Sequence, residues 1–230
     1  MPAPEAVAEP RQRWRLIVSR SPDAPTTGQR EIADAWTGAL ELAGLPLARP
    51  DGTRSRARLS FGAALPVGMA AERELIDVVL VERWPLWRVR DALAGHLPEG
   101  WRLVELFDVW LAGPPLAGQV AAADYRIELE ASPDPEILER AAAQILAAAR
   151  LPRYREKGGR TVEYDLRPLL IGLELDHGPP ATIRTRTRFH PELGTGRPEE
   201  VLATLAERAD TVLSARSIVR ERVVLAEDLP

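Results

Sequence analysis

Arg184, Arg186 and Arg188 alternate with Ile183, Thr185, Thr187 and Phe189. Side chains two residues apart in an extended chain share a face, so this period predicts a strand with three guanidiniums on one side. Guanidiniums in a row suit phosphate-bearing partners such as RNA, whose binding falls steeply with salt as counterions are released. Arg153, Arg155, Lys157 and Arg160 fall on a predicted neighbouring strand and turn, and Arg197 precedes a helix, so a local basic patch follows. The competing reading is a solvated sheet face, with these cations paired across strands to Glu156, Glu163 and Glu174.

Acid–base and metal chemistry find fewer carriers. The three histidines, His96, His177 and His190, fall near helix ends or in loops beside Pro or Gly, without His-x-His or His-Glu-x-x-His spacing. No catalytic set emerges, and an enzyme on this chain would have to use His190, with Glu192 two residues on, His177 or tyrosines. Solvated loop histidines are the competing reading. Gly194, Thr195, Gly196 and Arg197 precede a helix, where an anion can be held, but match neither a Walker nor a dinucleotide pattern; a plain helix-entry loop is the alternative.

Composition excludes more than it selects. The chain has 230 residues, a net charge of −4 and no cysteine. It therefore has no global field for nucleic acid or anionic membrane, and no disulfide, thiolate zinc site, iron–sulfur cluster or cysteine nucleophile of its own. No metal site is expected. Lys157 is the only lysine among the 30 basic residues, a bias that codon usage explains as readily as selection for bidentate contacts. Apolar runs fall far short of the roughly 20 residues that span a bilayer, so the expected address is the cytoplasm and no membrane partner is expected. Residues 1–12, acidic and proline-rich at the start, read as a disordered tail.

The elements that must position these residues occur in one order twice. Trp14, Leu16 and Val18 mark a strand, and Ile32, Trp36, Ala39, Leu40 and Ala43 make the apolar stripe of a helix that Gly44 can end in the left-handed conformation. Leu59–Phe61 with Leu65 and Val67 reads as extended. Glu74–Val81 is apolar enough for a central strand, Pro85 opens a helix buried through Leu86, Val89 and Leu93, and Trp101–Leu111 closes the unit as a strand. After Gly113, Pro114, Pro115 and Gly118 the pattern repeats. Tyr125–Leu129 is a strand, Pro135–Arg150 a helix, and Lys157–Arg160 a turn between extended segments. The arginine strand, a helix from Pro198 and a strand Ile218–Leu225 complete it. Strand, helix, strand, strand, helix, strand predicts an α+β protein of two tandem ferredoxin-like (βαββαβ) units, antiparallel sheets with helices on one face. Unit 1 covers 13–112, a linker 113–123 and unit 2 124–227.

All six tryptophans lie in unit 1: Trp14, Trp36, Trp84, Trp87, Trp101 and Trp110. Core is the expected place for most of them. Trp84 and Trp87 flank Pro85, and an exposed pair there would mark a protein interface.

Several stretches carry a family resemblance. Leu45-Pro46-Leu47, Leu59-Ser60-Phe61-Gly62, Leu65-Pro66-Val67-Gly68 and Glu74-Leu75-Ile76-Asp77, then Asp165-Leu166-Arg167-Pro168 and Arg197-Pro198-Glu199-Glu200, resemble the radical SAM-linked family. That family is of unknown function and is found fused to, or encoded beside, cobalamin-binding radical SAM proteins. The resemblance runs over nearly the whole chain after residue 12, and its motif residues here include Ser60, Phe61, Pro66, Gly68, Asp165, Arg167 and Pro168. It implies a radical SAM partner, and any iron–sulfur cluster and SAM would sit on that partner, with no cofactor on this chain. Two stretches depart from the family: Thr26-Thr27-Gly28-Gln29-Arg30 stands where a Ser-His-Leu-Asp-like stretch is usual, and Thr53-Arg54-Ser55-Arg56 where an Asn-Pro-His-Pro-like one is. Both departures remove histidines.

Two functions follow as expectations. The first is a non-catalytic accessory or substrate-presenting module for a radical SAM enzyme, one that modifies RNA. The second is an RNA-binding or RNA-processing protein resembling the tandem ferredoxin-like endoribonucleases.

Overall fold

The computed structural model describes residues 8–50, 56–157 and 159–229, and of Lys157 the backbone alone. The chain divides into two compact units, Met1–Val120 and Ala121–Pro230, each a mixed α+β body with a mostly antiparallel sheet. No described helix is long and apolar enough to cross a membrane.

The first unit runs β1 (Gln12–Arg20), α1 (Gln29–Leu42), β2 (Leu59–Phe61), β3 (Ala70–Leu80), α2 (Leu86–Leu93), β4 (Trp101–Val109) and a short α3 (Leu116–Gln119). β1 pairs antiparallel with both β3 and β4, and β2 pairs with β3, giving the order β4-β1-β3-β2. The period of two then sorts the faces. Trp14, Leu16 and Val18 of β1 and Ile76, Val78 and Leu80 of β3 pack with Ile32, Trp36 and Leu40 of α1 and Val89 and Leu93 of α2 in one core. Both helices therefore cover the same side of the sheet. α1 starts where the Glu31 carboxylate accepts the Gly28 N–H at 2.7 Å, and it ends before Gly44, whose φ of 71° is the left-handed conformation that Gly adopts without strain.

The second unit runs β5 (Val120–Leu129), α4 (Pro135–Ala147), β6 (Pro152–Lys157), β7 (Arg160–Asp165), β8 (Leu170–Asp176), β9 (Thr182–His190), β10 (Gly194–Thr195), α5 (Pro198–Ala209) and β11 (Ala215–Leu225). β6 and β7 form a hairpin of their own, inserted between α4 and β8. The remaining long strands lie in the order β8-β9-β5-β11. Leu138, Ala141 and Ile145 of α4 and Val201, Leu202 and Leu205 of α5 pack on Ile127, Leu129, Leu173 and Ile183 of the strands. Pro135 and Pro198 each open a helix, where the missing N–H costs nothing, and Asp134 Oδ1 accepts the Glu136 N–H at 2.9 Å.

Several boundaries move. Gln12, placed in the tail by the sequence, opens β1 and is buried, because its side-chain amide donates to the Trp84 carbonyl and accepts the Trp84 N–H. β5 begins at Val120, inside the expected linker, and Ala122 and Ala123 are fully buried. β4 stops at Val109, α4 stops at Ala147 and Pro85 precedes α2 rather than lying within it. Leu65 and Val67 belong to no strand. Residues 1–7 of the expected tail, Thr53, Arg54 and Ser55, and Gly158 with the Lys157 side chain lie outside the described residues.

Candidate functional site: the arginine face of the second unit

The predicted stripe forms, and the sheet neutralises most of it. Register sets Arg184 opposite Arg126, Arg186 opposite Asp124 and Arg188 opposite Ala122 on β5, while Glu174 of β8 stands opposite Arg184. Arg186 donates from Nε and Nη2 to the two oxygens of Asp124 at 2.6 and 3.0 Å, and Arg222 Nε of β11 adds a bond of 2.7 Å to Oδ2. Arg126 bridges Glu221 at 3.1 Å and Glu128 at 2.7 Å. Arg184 lies 3.8 Å from Asp176 and 3.9 Å from Glu221. A cavity of about 310 Å³ opens here, lined by Asp124, Gly172, Glu174, Arg184, Arg186 and Glu221 among others.

Electrostatics follow this pairing. Partial burial works to raise the Asp124 pKa, but hydrogen bonds from Arg186 and Arg222 outweigh it and hold the carboxyl below its ordinary value. Its bond to Asp124 raises the Arg186 pKa in turn. Such a face holds its own charges and has little left over for a polyanion. Arg153 is engaged in the same way, donating to Glu200 at 2.8 Å and Glu207 at 2.6 Å, partners on α5 that the sequence reading did not name.

A different group of cations stays open. Arg188 and the exposed Arg197 have no ion-pair partner among the described residues. Arg155 stacks its guanidinium 5.0 Å from the Tyr164 ring centroid, and its buried Nε has no hydrogen-bond partner. A methyl group on Gly194 would sit 3.1 Å from Arg155 Nη1, so glycine lets this guanidinium lie against the loop before α5. Tyr164 has its pKa raised by burial and by Glu200, against the opposing pull of Arg153, Arg197 and Arg155. Its hydroxyl stays protonated at neutral pH and can donate to an anion. At the helix start itself, Glu199 and Glu200 occupy the first turn, which opposes the anion that the bare loop invited.

Each histidine is held locally. His190 Nδ1 accepts the backbone N–H groups of Glu192 and Leu193 at 3.2 and 3.1 Å, so the loop's backbone, not a Glu192 carboxylate, meets that nitrogen. His177 Nε2 lies 2.8 Å from Glu139 on the surface, and His96 Nδ1 lies 3.0 Å from the Ala92 carbonyl. Among the described residues no three His, Cys, Asp or Glu groups gather as a metal site.

The motif residues are fasteners. Asp165 Oδ1 accepts the Leu151 N–H at 2.8 Å and the Arg167 N–H at 3.0 Å; burial raises its pKa, but these bonds and Arg150 bring it below the ordinary value. Leu166 is fully buried, Arg167 donates to the carbonyls of Leu170 and Leu146, and Pro168 lies in the single 3₁₀ turn between β7 and β8. Ser60 stands opposite Asp77, and Phe61 packs at the margin of the first core. The Pro66 carbonyl accepts the Met69 N–H at 3.1 Å, and Gly68 takes a φ of 76°. Of the two stretches that depart from the resemblance, Arg30 and Arg56 converge on one residue, Asp34, at 4.0 and 3.0 Å.

The sequence missed a buried cluster in the first unit. Arg13 and Arg15 both bind Asp77: Arg13 donates from Nε at 2.8 Å and also from Nη2, and Arg15 donates from Nε at 2.7 Å and Nη2 at 3.0 Å. Arg13 also reaches the carbonyls of Gly113 and Pro114 at 3.1 and 3.0 Å. Asp77 is 1% exposed. The available signal was one acid inside the apolar run Leu75–Leu80, opposite arginines that alternate with Trp14 and Leu16. Among the tryptophans, Trp84 is buried and Trp87 is exposed, so the expected exposed pair reduces to one; Trp110 is exposed as well. Arg88 lies over the Trp84 ring at 3.8 Å and helps to cover it.

The family described as "Uncharacterized protein conserved in bacteria (DUF2344)" matches residues 13–207. The chain belongs to this family. No curated protein matches it. Among solved structures, this family member is similar to a chain of a Cbf5–Nop10–Gar1 complex at 10% identity and a TM-score of 0.47, over 90% of this chain and 49% of that one. A chain of the archaeal box H/ACA sRNP Nop10–Cbf5 complex gives 10% identity and 0.44, over 90% and 48%. A pseudouridylate synthase gives 15% identity and 0.38, over 97% and 68%. The chain spans about half the length of the first two. TM-scores this low carry no argument about function.

Proposed function

We propose that the chain is a non-catalytic accessory module that presents a phosphate-bearing substrate, RNA, to a radical SAM enzyme in the cytoplasm, and that both units are ferredoxin-like. Support for the fold reading is the strand order. With the inserted hairpin and β10 set aside, the fourth, first, third and second strands lie side by side in each unit. The ligand reading rests on one observation: among the described residues Arg155, Arg188 and Arg197 lack carboxylate partners, while Arg153, Arg184 and Arg186 have them. Cations already paired must break a bond to meet a phosphate, and unpaired ones need not. The partner reading rests on the radical SAM-linked resemblance, and cysteine-free sequence leaves the cluster and SAM to that partner.

Labelled structured RNA, titrated at rising salt, tests the ligand half. Each phosphate contact contributes roughly 0.7–0.9 to the log–log salt slope, so Arg155→Ala, Arg188→Ala and Arg197→Ala together should flatten the slope by about two units and weaken binding at least tenfold. Arg184→Ala with Arg186→Ala should leave the slope nearly unchanged. Undetectable binding at low salt would sink the RNA reading. Co-purification with a cobalamin-binding radical SAM protein tests the other half, and no association at micromolar concentration would remove the accessory role. Discrete RNA cleavage lost on changing His190 or His177 would put the endoribonuclease reading in its place.

A further inference from the structure

β4 ends the sheet of the first unit, so among the described residues one side of its backbone has no strand beside it. Unpaired N–H and C=O groups along an edge are a template for another strand, and proteins usually guard such edges with short length, lysine or proline. β4 is nine residues long, Trp-Arg-Leu-Val-Glu-Leu-Phe-Asp-Val, with neither lysine nor proline; its guards are the charges of Arg102, Glu105 and Asp108 and a register shift against β1 that leaves Val104 without a partner. Val104 and Phe107 are exposed along it, and Trp110, three-quarters exposed, follows its last residue. At this end a groove of about 480 Å³ is lined by Arg11, Arg83, Asp108, Val109, Trp110 and Leu111 among others. Asp108 already accepts a bond from Gln12 Nε2 at 2.9 Å. Arg11 and Arg83 are exposed and have no carboxylate partner among the described residues.

We infer that the free edge of β4 takes up an extended acidic segment of a partner protein as an added strand. Backbone hydrogen bonds to the edge supply affinity that is indifferent to sequence, and alternate apolar side chains lie beside Phe107. The two unpaired arginines at the Trp110 end choose the charge: carboxylates are attracted there and lysines repelled. The inference concerns the first unit and stands whether or not the second binds RNA. It gives a partner-binding surface to the accessory reading without resting on the identity of that partner.

The probe is a fluorescent peptide of about ten residues alternating valine and glutamate, long enough to match the strand. Fluorescence anisotropy with the full chain should show saturable binding. The same peptide N-methylated at alternate residues, which cannot complete the ladder, should not bind, and a valine–lysine peptide should bind far more weakly. Phe107→Lys should abolish binding, and Arg11→Ala with Arg83→Ala should weaken it about two- to tenfold, the range of surface charge pairs. Unchanged circular dichroism of these surface variants will show that they fold. No binding at millimolar peptide, or equal binding of the N-methylated peptide, overturns the proposal. So does a concentration-dependent dimer in sedimentation that Phe107→Lys dissolves, since a second copy would then hold the edge. These outcomes are separate from co-purification, which can fail while the edge still binds peptide.

Discussion

Each unit holds an aspartate between two arginines, and the two clusters sit in different solvents. Asp77, Arg13 and Arg15 are 1%, 6% and 6% exposed, whereas the side chains of Asp124, Arg186 and Arg222 are 18%, 26% and 52% exposed. In the first unit the aspartate lies on β3 and the arginines on β1; in the second it lies on β5, with arginines on β9 and β11. The chemistry is alike and the consequences differ. Removing charge from water costs several kcal/mol per ion, so the Asp77 cluster stands because both guanidiniums share the Asp77 carboxylate and Arg13 finds two further carbonyls. The Asp124 cluster keeps water at its edge and is a surface device. Its main effect is to withdraw Arg186 from binding.

Breaking the buried cluster should show the difference most clearly. Asp77→Ala leaves two guanidiniums buried without an anion and should cost about 3–5 kcal/mol in urea unfolding. A loss under about 1 kcal/mol would mean that water reaches Arg13 and Arg15 and that the two clusters are energetically alike. Asp124→Asn should cost less, about 1–2 kcal/mol, because Arg186 and Arg222 can turn to solvent. That variant also frees two guanidiniums, so RNA binding should strengthen and its salt slope steepen. No change in the slope would show that pairing is not what silences Arg186.

Acid sharpens the comparison by the smallest effect. The folded pKa of Asp124 lies below the unfolded value of about 3.9, so the folded state binds fewer protons in acid. Its contribution is present above that unfolded value and is lost as pH falls through the lower folded one. Asp165 is depressed likewise and adds to the same window. Stability measured from pH 5 downward should therefore fall, and Asp124→Asn should make the fall shallower without abolishing it. An unchanged slope would assign the acid sensitivity elsewhere.

Much of the fold was legible because the two periods are local properties. Trp14, Leu16 and Val18 announced β1, Ile32, Trp36 and Leu40 announced α1, and Pro198 marked the start of α5. Boundaries set by long-range contacts were not legible. Gln12 joins β1 through Trp84, 72 residues away, and Ala122 and Ala123 join β5 opposite Arg188 and Thr187 of β9. The candidate site was legible as composition and not as chemistry. The stripe of Arg184, Arg186 and Arg188 was visible, but Asp124 and Glu221, which neutralise two of them, lie about 40–60 positions away in unpatterned surroundings.

What the sequence determined alone was the order of elements, the absence of thiol chemistry and the alternation that sets arginines on one face. These depend on residue type and spacing, which neighbours in the chain settle between themselves. Only the tertiary structure decided which charges are paired. Coulombic energy depends on separation and solvent, and strand register brings together groups that the sequence holds far apart. Of three arginines alike in sequence, it left Arg188 without an ion-pair partner among the described residues, tied Arg186 to Asp124 and set Arg184 among Asp176 and Glu221.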